Sequence, residues 1–151
     1  MAIELPTPYL GECPFCKALE QEEFHVAVSP DAVCFVPERT DTEGALMVVS
    51  RRHVATFLEL SAAESLDLIE LGKRAALALA AEYDIDAFNF WWDTGVLAGQ
   101  RYPHVAIEIL PRRENDGHKF VPQDERPLLT VERRREISGR IRGAHLHEVA
   151  A

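Results

Sequence analysis

The chain has 151 residues, 47% of them hydrophobic, which suits one domain with a core of its own and no need for a covalent staple. A formal net charge of −9 argues against broad attraction to nucleic acid or anionic lipid, although a locally basic pocket remains compatible with it. No stretch approaches the roughly 18 apolar residues of a membrane span, and Met1 to Pro6 lacks the basic start and apolar core of a secretion signal, so a cytoplasmic protein is expected.

From the N-terminus, the first feature is Cys13-Pro14-Phe15-Cys16. Three cysteines make no disulfide framework, and in a reducing compartment such a pair serves metal binding or redox chemistry; Cys34 reads as a buried strand residue. Residues 24–28 and 32–37 are short apolar runs joined by Ser29-Pro30-Asp31, and Ala45 to Val49 forms a third strand entered through Glu43-Gly44, so an antiparallel meander is predicted. Ser61 and Glu64 make a capping box, and the helix it opens runs to about Tyr83. Leu66, Ile69, Ala76, Leu77 and Ala80 recur at helical spacing, while Leu68, Leu71, Ala75 and Leu79 widen the apolar stripe. That breadth predicts burial against both a sheet and a partner surface.

Residues 87–92 read as a fourth strand, Thr94 to Arg101 as a Gly-containing loop and His104 to Leu110 as a fifth strand. Trp91 and Trp92 point to opposite faces, one toward the core and the other free to line a pocket or a subunit interface. The order is β-β-β-α-β-β, an α+β domain spanning 1–151 with a core at 13–112 and a polar C-terminal extension at 113–151. The extension ends in an Arg-rich helix from Thr130 to about Gly143, whose basic run reads as a solvated face. His118, His145 and His147 read as surface histidines, with His145-x-His147 a weak metal-binding alternative.

Zinc favours thiolate and imidazole, and Cys13 with Cys16 supplies two thiolates about one tetrahedral edge apart. His53, just after the third strand, and His104, at the head of the fifth, stand at element ends from which a side chain can reach such a pair. On spacing alone the cysteines fit a redox dithiol as well, His53 a helix cap and His104 a satisfied core histidine.

The run from Ala98 to Arg112, with Gly99-Gln100 followed by His104-Val105-Ala106-Ile107-Glu108-Ile109-Leu110, resembles the signature strand of the histidine triad superfamily, Gly-Gln and then three alternating histidines. Gly44 to His53 is similar to that family's Gly-His-Leu-Leu-Val-Val-Pro-Lys-Arg-His, and Cys13 to Cys16 to its metal-binding opening. The resemblance spans Cys13 to Arg112 and implies a five-stranded antiparallel sheet with one long helix, a homodimer formed through that helix and a sheet edge, and nucleotide binding. In many bacterial members, and in the related galactose-1-phosphate uridylyltransferases, zinc is held at the positions of Cys13, Cys16, His53 and His104. The resemblance thus implies a structural zinc with four protein ligands.

The triad itself is degenerate. The middle histidine of the family attacks the α-phosphate and carries the nucleotidyl group; here that position is Ala106, and the third is Glu108. A methyl group is no nucleophile, so the usual hydrolase or transferase chemistry is not expected. Asp93 stands where the family has a phosphate-contacting asparagine, and Arg101 where Ser or Thr is common. Asp93 and Glu108 repel a phosphate, and Arg101 can offset one of them. The implied ligand-binding set is Asn89, Asp93, Gln100, Arg101 and Glu108. The leading expectation is a zinc-stabilised homodimer, a pseudoenzyme binding a nucleotide or other small anion. The alternatives are an enzyme of altered chemistry using Asp93, Arg101 and Glu108, and a protein-interaction module.

Overall fold

The computed structural model describes residues 5–8, 11–119 and 121–144; His145 and His147 lie outside them. The first helix, α1 (Pro14–Glu20), starts where Cys13 caps it, its sulfur accepting the Cys16 N–H at 3.4 Å, with Pro14 in the first turn where a missing N–H costs nothing. Strands β1 (His25–Val28), β2 (Ala32–Phe35) and β3 (Leu46–Ser50) form the expected antiparallel meander. Helix α2 (Ala62–Glu82) opens on the capping box, with Glu64 N–H donating to Ser61 Oγ at 3.1 Å and Ser61 N–H to Glu64 Oε1 at 3.2 Å. Then come β4 (Ala87–Trp91), β5 (Ala106–Arg112) and helix α3 (Val131–Ala144). The sheet order is β1-β2-β3-β5-β4, so β5 inserts between β3 and the edge strand β4, antiparallel to both.

Strand β5 begins two residues later than expected. The His104 N–H is taken by the Tyr102 carbonyl at 2.8 Å, and the ladder with β3 starts at Ala106 opposite Val49. His104 is therefore free to turn off the end of the sheet.

Alternation along the strands divides the core in two. Val26, Cys34, Leu46, Val48, Ile107 and Ile109 face α2, against Leu68, Leu71, Ala75 and Leu79. Val33, Phe35, Met47 and Val49 face the other way, against Phe15 and Ala18 of α1. Apart from Ala76, which is buried, the two apolar sets on α2 thus separate. Leu68, Leu71, Ala75 and Leu79 are buried, whereas Leu66, Ile69 and Leu77 are 63%, 46% and 51% exposed on the outer side. Phe90 of β4 is 53% exposed, and it joins Ile69, Leu77, Phe88 and Trp92 in one apolar surface running from α2 onto the sheet edge. Gly44 enters β3 at φ +93°, where a Cβ would meet Leu79 Cδ1 at 3.1 Å.

The extension departs from the polar tail expected of it. Ile137 and Ile141 of α3 are fully buried in the same core as α2, each worth about 1.5–3 kcal/mol of apolar transfer. Of the arginines of α3, Arg134 is a buried docking group, while Arg133, Arg135 and Arg140 stay partly solvated as they pair with acids on the body. The Arg134 guanidinium lies 3.7 Å over the Phe24 ring and donates to the Val36 carbonyl at 3.0 Å, Arg135 pairs with Glu23 at 2.7 Å, and Arg133 and Arg140 pair with Glu43 and Glu82. Residues 126–129 are stitched to 38–40, with Thr40 N–H donating to Pro127 O at 3.0 Å and Leu129 N–H to Glu38 O at 2.8 Å. Among the described residues, no helix is long and apolar enough to cross a membrane.

Candidate metal centre and adjoining cavity

Cys13 and Cys16 sit at the start of α1, His53 follows β3, and His104 precedes β5, so three chain segments meet at one end of the sheet. One ligand atom from each residue lies within 4.8 Å of the others. Cys13 Sγ is 3.4 Å and Cys16 Sγ 3.6 Å from His104 Nδ1, Cys16 Sγ is 3.1 Å from His53 Nδ1, and the two Nδ1 atoms are 3.2 Å apart. A tetrahedral zinc with Zn–S of about 2.3 Å and Zn–N of about 2.05 Å requires S···N edges near 3.5 Å and N···N edges near 3.3 Å. The donor set therefore fits a four-coordinate zinc in distance and in chemistry.

The surroundings favour the same use. His104 Nε2–H donates to the Ser50 carbonyl at 2.6 Å, fixing the tautomer that leaves Nδ1 as a lone-pair donor, and burial, ahead of other influences, holds its imidazole below the usual range. Burial and then the adjacent Cys13 push the Cys16 thiol up to about 11, so two thiolates here are costly until a cation neutralises them. Cys34 is fully buried in the core, and burial raises its thiol, consistent with a packing role.

Next to this cluster, on the α1 side of the sheet, lies a cavity of about 80 Å³ lined by Phe15, Met47, Trp91, Ala106, Glu108 and Arg126, among others. Ala106 projects into it with His104 and Glu108 beside it, as the alternation of β5 requires. Trp91, opposite Glu108 on β4, takes the cavity side, and Trp92 packs on the other face with its ring 4.6 Å from Phe57. Asp93, Gln100 and Arg101 also line the cavity. Burial raises the Asp93 carboxyl above the usual range. Gln100 is committed to backbone groups, accepting from Gly95 N–H at 2.8 Å and donating to the Ala55 and Tyr102 carbonyls at 2.7 and 2.9 Å.

Three expectations need correction. Arg101 compensates neither Asp93 nor Glu108 but pairs with Asp124 at 3.7 Å near the surface. Asn89 is not among the cavity-lining residues; its Oδ1 accepts from Arg112 Nη1 at 2.8 Å. His118 is not a surface histidine. Its side chain is 7% exposed, its ring centroid lies 5.9 Å from that of Trp91, and its Nδ1 lies 3.4 Å from Thr42 Oγ1. The partner of Glu108 is Arg126, which comes from the extension and went unrecognised in the sequence. The two are buried and hydrogen-bonded, and Arg126 also donates to Val121 O at 2.8 Å and Gln123 Oε1 at 2.9 Å. No local pattern joins residues 18 positions apart across a proline-flanked loop.

A family model, the HIT domain, matches residues 18–115. The chain belongs to the HIT domain family. It is 29% identical over 107 residues to an uncharacterized HIT-like protein of Methanocaldococcus jannaschii, covering 70% of this chain and 82% of that one. It is 33% identical over 88 residues to the nitrilase and fragile histidine triad fusion protein NitFhit of Caenorhabditis elegans, covering 58% of this chain but only 20% of the fusion protein. Among solved structures, a zinc-bound histidine triad family protein from Mycobacterium smegmatis matches with a TM-score of 0.73 at 20% identity, covering 91% of this chain and 95% of that one. At that identity the likeness concerns the HIT fold.

Proposed function

We propose that this HIT-family chain is held together by a structural zinc on Cys13, Cys16, His53 and His104, and that its cavity binds a small anionic ligand, nucleotides included, without histidine-based nucleotidyl transfer. The observation that carries this reading is the alternation of β5: His104 belongs to the metal cluster, and the next residue on that face, at the cavity, is Ala106. With four protein ligands zinc has no open position, so its contribution is to fasten α1, the turn after β3 and the start of β5 to one another. Cavity residues position a ligand: Trp91 and Phe15 supply aromatic walls, and Arg126 a cation. The zinc-bound M. smegmatis relative supports the metal assignment by fold and by its name. Thiolate ligands at Cys13 and Cys16 suit a reducing compartment, which supports a cytoplasmic location.

The apolar surface of Ile69, Leu77, Phe88, Phe90 and Trp92 supports a homodimer with that face covered. An enzyme built on Asp93, Arg101 and Glu108 is less well supported, because Arg101 and Glu108 are engaged by Asp124 and Arg126 rather than by each other. Calorimetry with AMP and diadenosine polyphosphates, alongside inorganic phosphate and simple organic acids, tests the binding, with hydrolysis of an adenosine phosphoramidate as the activity readout. Binding without turnover is expected. Absence of binding by every probe, or turnover through a covalent nucleotidyl-enzyme, overturns the reading.

A further inference from the structure

Arg126 is 2% exposed, yet its described hydrogen bonds use only Nε, to Val121 O, and Nη1, to Glu108 and Gln123. Nη2 makes none of the bonds among the described residues, although the side chain lines the cavity beside Ala106. A guanidinium has five N–H donors, and the two on Nη2 are left for water or a ligand in the cavity. We propose that Arg126 anchors an oxyanion subsite above Ala106 and takes, through Nη2, the carboxylate of a small organic acid. This inference rests on the ligand-binding reading and narrows it to a class.

Size, charge and wall chemistry each contribute to that choice. The cavity of about 80 Å³ accommodates the carboxylate and short chain of a small acid. The charge of Arg126 is already balanced by Glu108, Asp93 stands on the same cavity wall, and Arg101 is drawn off to Asp124. A phosphate dianion meets those two carboxylates with twice the charge of a carboxylate ligand, so the monoanion is favoured. Met47, Phe15 and Trp91 give the acid's hydrocarbon part an apolar lining, and the methyl of Ala106 leaves open the space an imidazole would fill. Glu108 and Gln123 hold the guanidinium plane before a ligand arrives, so little ordering remains to oppose binding.

The test is calorimetry at pH 7 on the zinc-loaded full chain with butyrate, lactate, inorganic phosphate and AMP. The expected result is that butyrate or lactate binds more tightly than phosphate, and at least tenfold more weakly to Arg126→Lys, which keeps the charge but not the fork. Zinc content and circular dichroism report whether that variant is folded. If it is not, Ala106→Leu decides, because it fills the cavity without touching the ion pair, and it is expected to abolish carboxylate binding. Carboxylate binding unchanged in the deciding variant, or binding of AMP or phosphate without either acid, overturns the inference and leaves the broader reading standing. No binding by any of the four probes overturns both.

Discussion

Replacing Arg126 with Met removes the cation beside Glu108 while keeping much of the bulk. Glu108 is 8% and Arg126 2% exposed, and breaking a pair buried to this degree from one side costs about 3–5 kcal/mol when the remaining charge stays in place. Glu108 has an escape, because burial already holds its carboxyl above the usual range against the opposing pull of Arg126, and without Arg126 the value moves further up. A carboxyl whose pKa is higher folded than unfolded contributes stability that is fully present below the unfolded value and is lost as pH rises through the folded one. The variant therefore loses stability over a wider range above pH 4.5 than the parent does. The gap between them should widen as pH rises from 5 to 8, toward the cost of an unpaired buried charge, about 3–5 kcal/mol. Urea unfolding followed by circular dichroism at pH 5, 6.5 and 8, with zinc saturating throughout, measures that gap. Adding Glu108→Gln to Arg126→Met should recover most of the loss at pH 8 and flatten the dependence. A gap below about 1 kcal/mol that does not change with pH would show that Glu108 is solvated and that Arg126 does not close the cavity wall.

Two further outcomes test the rest of the architecture. Phe90→Glu places a charge in the apolar α2/β4 surface and should convert a dimer to a monomer in light scattering; a wild-type monomer, or an unchanged dimer, rejects that surface as the interface. Ile141→Ala should cost about 2–5 kcal/mol in urea unfolding, whereas Leu97→Ser, at a side chain 99% exposed, should stay within about 0.5 kcal/mol. Equal effects would mean that α3 is not part of the core.

The elements readable from sequence are those whose signals are local. Ser61 with Glu64 and the apolar spacing after them define α2 at both ends, and the short links between 24 and 49 leave β1, β2 and β3 little choice but to pair in order. The placement of β5 between β3 and β4 is a long-range choice, visible beforehand only through the resemblance of residues 98–112 to a family with that sheet. Cys13 and Cys16 announce a metal or redox site by spacing, but His53 and His104 carry no local mark, and the structure is what brings their Nδ1 atoms to 3.2 Å. The extension was the least legible part. A run of arginines reads as solvated because charge patterning is blind to flat stacking surfaces such as Phe24 and to carbonyls such as that of Val36. For the same reason His118 reads as a surface residue and Arg126 goes unmarked, although the fold sets them beside Trp91 and Glu108.

Metal content of the purified chain, measured by mass spectrometry after expression with zinc available, bears most directly on whether Cys13, Cys16, His53 and His104 form a structural zinc site. The expected result is one zinc per chain, lost in Cys16→Ser together with a marked fall in stability. A folded chain that takes up no zinc, and whose stability is the same with and without Cys16, would contradict it.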